Sequence, residues 1–298
     1  MKIGYPCINR NVGCSSNKKF RLSNFTEKKF NETIKNNLDC LEKIITYNIE
    51  NDMLFLRISS ETIPFASHEI CNLDWKKTFK RELKSIGKKL KKNNFRVSMH
   101  PGQFTLLNSI NKEIIKKSLL ELKYHADFLD AMNLDTSAKI QIHVGGVYGD
   151  KNAAIERFIE TFNIMSANIK SRLVIENDDY HYSIHDCLKI NKATKIPIIL
   201  DNLHLECLNN GESLIEAYQM IKYTWHGKHG IPMLDYSSQE RNARKGKHAE
   251  HIDSEHFKNF INIMGDQEFD LMFEIKDKEE SVLKAQKIML RHYFEAII

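Results

Sequence analysis

Eight short apolar runs punctuate the chain: MKIGYPC, MLFLRIS, FRVSMH, KIQIHVG, RLVIEN, PIILDN, IPMLDYS and FDLMFEI. Runs of this length bounded by polar turns predict buried strands. The segments between them have helical spacing: Thr26 to Asn51 sets Phe30, Ile34, Leu38, Leu41, Ile45 and Ile49 on one side, and Lys112 to Met132 is similar. Strands apolar throughout and alternating with helices are parallel and covered on their outer faces. Eight such units predict an α/β fold, a single closed (β/α)8 TIM barrel, with an open doubly wound sheet as the second choice. The 298 residues, 42% hydrophobic, suffice for one large core. One catalytic domain spanning 1–298 is therefore expected, and no repeat or linker-like tract interrupts it.

Active sites of such barrels lie at the C-terminal ends of the strands. The residues closing the eight runs are Tyr5, Arg57, His100, His143, Glu176, Asp201, Asp235 and Glu274. Six are His, Asp or Glu, in a chain with only 39 acids and 13 histidines among 298 residues, which favours a shared site. Taken singly, His100 or His143 reads better as a structural histidine. Carboxylates converging at a barrel mouth repel one another unless cations sit among them. Imidazole and carboxylate ligands without thiolate suit Mn²⁺ or Zn²⁺, with Mg²⁺ less comfortable beside neutral nitrogen. His204, three residues after Asp201, adds a ligand for a second ion.

After the seventh run, SSQERNARKGKHAEHI places Arg241, Arg244, Lys245 and Lys247 ahead of His248, phosphate-binding groups beside a metal ligand. The denser basic run from Trp75 to Asn94 has helical spacing and reads as a solvated helix face. A net charge of +5 decides nothing alone. The six cysteines form no CxxC pair and are expected to be reduced packing residues. With no run of about eighteen apolar residues and no signal-peptide pattern, a soluble cytoplasmic or nucleoid-associated protein is expected, with no membrane association and no obligate protein partner.

GYPCIN, PFASH, SMHPGQF, IHVGGVYGDK, LVIEND, LDNLH, YSSQ, GKHAEHI and LMFEIKDKE, in order from Lys2 to about Glu280, together resemble the UV damage endonucleases, relatives of endonuclease IV among the xylose-isomerase-like barrels. The resemblance implies a metal-dependent DNA repair endonuclease acting on UV-damaged duplex DNA. It would cut immediately 5′ of cyclobutane dimers and (6–4) photoproducts, leaving a 3′-hydroxyl and a 5′-phosphate. It implies two to three divalent ions, Mn²⁺ first, with Mg²⁺ or Zn²⁺ as alternatives. His100, His143 and Glu176 would hold one ion, Glu176, Asp201, Asp235 and Glu274 a second, and His204 with His248 a third. A water activated by the ions would attack phosphorus in line as the 3′-oxygen leaves. Glu176 and Lys276 would be catalytic, the lysine placed near the phosphate by the strand period.

The same resemblance gives Gln103 and Phe104 the task of probing the duplex opposite the lesion, on a turn set by Pro101 and Gly102. Phe104 stands where the family has tyrosine and keeps the stacking ring. Tyr5 would pack on the damaged nucleotides, with Arg244, Lys245 and Lys247 on DNA phosphates. A second departure is Met233 followed by Asp235, where the family carries a carboxylated lysine and a histidine. Two other readings remain: a metal-dependent sugar isomerase or epimerase on the same barrel, and a lesion-binding protein that does not cut. The basic loops argue against the first.

Overall fold

The computed structural model describes residues 1–295, so the last three residues of the expected 1–298 unit lie outside the described residues. Its strands are β1 (Ile3–Pro6), β2 (Phe55–Ile58), β3 (Arg96–Met99), β4 (Lys139–His143), β5 (Leu173–Glu176), β6 (Ile198–Asp201), β7 (Met233–Tyr236) and β8 (Asp270–Phe273). All pair in parallel in chain order, and β8 closes onto β1. The helices are α1 (Glu27–Glu50), α2 (Trp75–Thr78), α3 (Lys80–Lys92), α4 (Lys112–Ala131), α5 (Lys151–Ile164), α6 (Ala167–Arg172), α7 (Ile184–Thr194), α8 (Asn202–Cys207), α9 (Leu214–Lys222), α10 (Ser254–Met264) and α11 (Glu279–Glu295). This is the (β/α)8 barrel that the eight runs predict, not the open sheet.

Local chemistry sets the outer layer. The Thr26 hydroxyl caps α1 by accepting the Lys29 N–H at 3.1 Å, and Phe30, Ile34, Leu38, Leu41 and Ile45 form its buried stripe. The basic run breaks at Phe79 into α2 and α3; α3 buries Leu83, Ile86 and Leu90 and leaves Lys84, Lys88, Lys91 and Lys92 in solvent. That run is the solvated helix face its spacing predicts.

Side chains alternate across each strand. On β4, Ile140 and Ile142 turn to the helices, while Lys139, Gln141 and His143 line the barrel interior. The interior is unusually polar. Near the N-terminal ends of the strands, Arg96 pairs with Asp270 at 2.7 Å and the Lys139 ammonium donates to the Ser171 carbonyl at 3.0 Å. Near the C-terminal ends, Arg57, Gln141, Glu176, Asp201 and Asp235 are all buried.

Two expectations fail here. Tyr5 faces away from the barrel mouth: its hydroxyl donates to Asn48 of α1 at 2.5 Å and accepts from Asn9 at 2.7 Å, leaving the ring fully buried. It is a core residue between barrel and helix, not a surface for nucleotides. Nor are all six cysteines reduced. Cys14, in the connection after β1, and Cys40, on α1, form a disulfide with Cα atoms 5.8 Å apart, while Cys7, Cys71, Cys187 and Cys207 are free. The pairing depends on how the connection folds back over α1, which cysteine spacing does not encode. Among the described residues, no helix is long and apolar enough to cross a membrane.

Candidate metal centre

The strand register brings the proposed ligands to one level. His143 is paired with Glu176 across β4 and β5, and Asp201 with Asp235 across β6 and β7. His100 follows β3 directly, and Glu274 follows β8. Asp201 also caps α8, its Oδ1 accepting the His204 N–H at 2.8 Å, so the short helix turns His204 into the same mouth. His248 arrives from the connection after β7, where Gln239 and His248 form an antiparallel bridge.

Four imidazoles stand in a row, with ring centroids 5.2 Å apart for His100 and His143, 5.8 Å for His143 and His204, and 5.8 Å for His204 and His248. Three have Nδ1 against a backbone carbonyl: His100 on Pro101 at 2.8 Å, His204 on Asn177 at 3.0 Å and His248 on Glu274 at 2.9 Å. A carbonyl only accepts, so Nδ1 carries the proton and Nε2 is left for a ligand or an acid, the arrangement metal-bound histidines use. Glu176 Oε1 lies 3.0 Å from His100 Nε2 and 2.9 Å from His143 Nε2.

Three groups have ligand atoms within 4.8 Å of one another: His100, His143 and Glu176; Asp201, His204 and His248; and Glu176, Asp201 and Asp235. Asp201 Oδ2 is buried without a hydrogen-bond partner. A buried carboxylate oxygen lacking a donor, beside imidazoles held in the ligating tautomer, fits a divalent cation. The pure nitrogen and oxygen donor set suits Mn²⁺, Zn²⁺ or Mg²⁺ without choosing among them.

The electrostatics agree. Burial lowers the proton affinity of His204, but Asp201, Glu176 and Glu274 more than reverse this and lift its pKa to about 9. Burial raises Glu176, yet His143 and His100 hold it well below the usual carboxylate range. Burial also raises Asp201, and it raises Asp235 well above its ordinary value against the pull of Arg57.

Arg57 closes its run and Gln141 has no marker in the sequence beyond lying in an apolar run, yet both sit inside this centre. Arg57 pairs with Asp235 at 2.8 Å and with Glu274, and the Gln141 amide donates to Glu176 and Asp235. Lys276 does not join them. β8 ends at Phe273, so the strand period does not extend to residue 276, and its ammonium pairs with surface Glu250 at 2.7 Å. The neighbouring Lys278 lies nearer: burial lowers its pKa, and the charges of Cys7, Glu274 and Arg57 act on it.

Around the centre, Gln103 and Phe104 project from the turn after His100, with Phe104 64% exposed. A Cβ at Gly102 would run into the Phe104 ring, so the glycine makes room for it. A cavity of about 340 Å³ runs from His100 and His143 past Gln103 to Tyr180 and His181. Arg244 and Lys245 are exposed and Lys247 half-buried; Lys245 donates to the Cys207 carbonyl at 2.7 Å.

The sequence matches the family described as UV-endonuclease UvdE over residues 1–296. A UV DNA damage endonuclease of Clostridium perfringens (strain 13 / Type A) is 41% identical over 286 residues, which are 95% of this chain and 69% of that protein. The crystal structure of SacUVDE superposes with a TM-score of 0.94 at 45% identity, covering 98% of this chain and 99% of that one. Endonuclease IV from Thermus thermophilus shares the fold, with a TM-score of 0.60 at 10% identity over 83% of this chain and 93% of its own.

Proposed function

The chain belongs to the UV-endonuclease UvdE family, and from that premise we propose that it is a metal-dependent phosphodiesterase cutting duplex DNA immediately 5′ of UV photoproducts. It is a DNA repair endonuclease; the cut position, the 3′-hydroxyl and 5′-phosphate ends and the ion requirement are the proposal. The observation that carries it is the row of four imidazoles, three with Nδ1 anchored on backbone carbonyls and two, His100 and His143, with Nε2 on the buried Glu176, beside an exposed Gln103–Phe104 turn.

His100, His143 and Glu176 would hold one ion, and Asp201, His204 and His248 another, with Asp235 and Glu274 completing the acidic wall. Bound there, divalent ions supply charge neutralisation at phosphorus and a more acidic water. The protein's own groups do the rest. Backbone carbonyls fix three of the imidazole tautomers, and the barrel holds the ligands at strand ends, on a short capped helix and, for His248, on a bridged connection, so little reorganisation accompanies reaction. Phe104 offers a stacking face where a base pair is weakened by the lesion, and Gln103 offers amide donors and acceptors beside it. Arg244, Lys245 and Lys247 would contact the phosphate backbone and set affinity, not sequence preference.

A supercoiled-plasmid nicking assay tests this, with irradiated and unirradiated DNA, using metal-stripped protein and protein restored with Mn²⁺, Mg²⁺ or Zn²⁺. The expected result is nicking of irradiated plasmid only and only with an ion restored. Tight binding to irradiated DNA without nicking under any ion would make the protein a lesion binder instead.

A further inference from the structure

The buried acids of the centre are not equivalent. Both oxygens of Asp235 are already taken: Arg57 Nη2 donates to them at 2.8 and 2.9 Å, and Gln141 Nε2 also donates to Oδ2. Arg57 Nη1 donates to Glu274, and Nη2 also reaches Gln141 Oε1 at 2.8 Å. Arg57 is 4% exposed and Asp235 fully buried, so water does not compete for these contacts. Asp201 Oδ2, in contrast, has no donor at all. A guanidinium keeps its proton under any folding condition and satisfies carboxylates in a fixed planar fork. A divalent ion seated against Asp235 and Glu274 would have to displace that fork and then lie beside an unpaired buried cation.

We propose that Arg57 is a permanent organic cation in the centre, taking the place of an ion between Asp235 and Glu274, so that the chain binds two divalent ions and not three. This rests on the metal-centre reading above. The two ions occupy the sets that contain histidine, and Asp235 serves as the counter-ion of Arg57. Gln141 joins the two halves, accepting from Arg57 while donating to Asp235 and Glu176, and so keeps the arginine in register with the Glu176 ligand.

The test counts metal and does not depend on nicking. Protein reconstituted with excess Mn²⁺ and desalted is analysed by plasma mass spectrometry and native mass spectrometry. The wild type is expected to retain two Mn²⁺ per chain, and Asp235→Asn also two, because its partner is Arg57. Arg57→Met is expected to take up one Mn²⁺ more, as two freed carboxylates open a third place. Three ions in the wild type, or one fewer in Asp235→Asn, would overturn the assignment, as would a folded Arg57→Met that still holds two. If Arg57→Met does not fold, the Asp235→Asn count decides alone. A wild type that retains no ion would instead bring down the metal-centre reading, and this proposal with it.

Discussion

Glu176→Gln is the substitution that asks most of the metal centre. The residue is 1% exposed and its side chain nearly isosteric with the replacement, so the barrel is expected to fold unchanged. Glu176 Oε1 faces His100 Nε2 at 3.0 Å and His143 Nε2 at 2.9 Å, while Oε2 accepts the Gln141 amide. A glutamine presents one oxygen and one NH₂ in these places. If the NH₂ turns to Gln141, donor meets donor; if it turns to the imidazoles, the ligand oxygen is gone. Either way at least one hydrogen bond to an ionised group is lost, about 1.5–3 kcal/mol. The negative charge facing the cation is lost as well. A combined loss of at least about 3 kcal/mol is roughly a hundredfold in affinity or rate. The assay is nicking of irradiated supercoiled plasmid at saturating Mn²⁺, with far-UV circular dichroism to establish the fold. Nicking by a folded variant at close to the wild-type rate would refute the role given to Glu176.

Two further substitutions probe other parts of the molecule. Phe104→Ala removes the exposed ring and should weaken binding to irradiated duplex by about 1–3 kcal/mol, the usual worth of a base–aromatic stack; unchanged anisotropy titrations on irradiated and unirradiated oligonucleotides would exclude a stacking role. Lys139→Met tests the barrel interior: burial, with Arg96 and Arg172 nearby, pushes the Lys139 ammonium down to about 7. The folded chain then binds fewer protons than the unfolded one between that value and the ordinary lysine value of roughly 10.4, so wild-type stability gains about 1.4 kcal/mol per pH unit there from this group. The charged lysine costs up to roughly 4–5 kcal/mol below pH 7. Its bonds to the Ser171 carbonyl and His229, lost in the variant, return about 1 kcal/mol each. Urea melts should therefore show Lys139→Met more stable than wild type near pH 6–7, by about 2–3 kcal/mol, with the gain gone near about pH 9 and turned into a loss of about 1 kcal/mol by about pH 10. A pH-independent destabilisation would contradict this.

The barrel is readable because its strands are short, mostly apolar runs that end in chemistry, so the runs mark both the elements and the mouth. His100, His143, Glu176 and Asp201 follow from that rule, and His204 and His248 from the short segments after it. Tyr5 misleads because it also closes a run, but its register points it at Asn48 on α1. Lys276 misleads because a two-residue period does not carry past the end of β8 at Phe273. Arg57 is visible as a strand end, yet its partners Gln141 and Asp235 come from strands 84 and 178 residues further on. Only barrel closure brings them together. The tautomers of His100, His204 and His248 are equally invisible, being set by backbone carbonyls of Pro101, Asn177 and Glu274.

That pairing explains how so acidic a mouth is held in the folded chain. Buried carboxylates without partners would resist folding until an ion arrived, as in small metal-dependent domains. Here Arg57 takes Asp235 and Glu274, and His100 and His143 take Glu176, so among these four acids the one buried oxygen without a partner is Asp201 Oδ2. Large barrels already have enough core to fold unaided. An ion entering the His204 set would meet a formed site, in which Asp201, Glu176 and Glu274 lift the proton affinity of His204 to about 9 against its burial. The same carboxylates that raise its proton affinity attract the incoming cation. A proton and a metal ion would therefore compete for Nε2, on a ring already held by its Nδ1 bond to the Asn177 carbonyl.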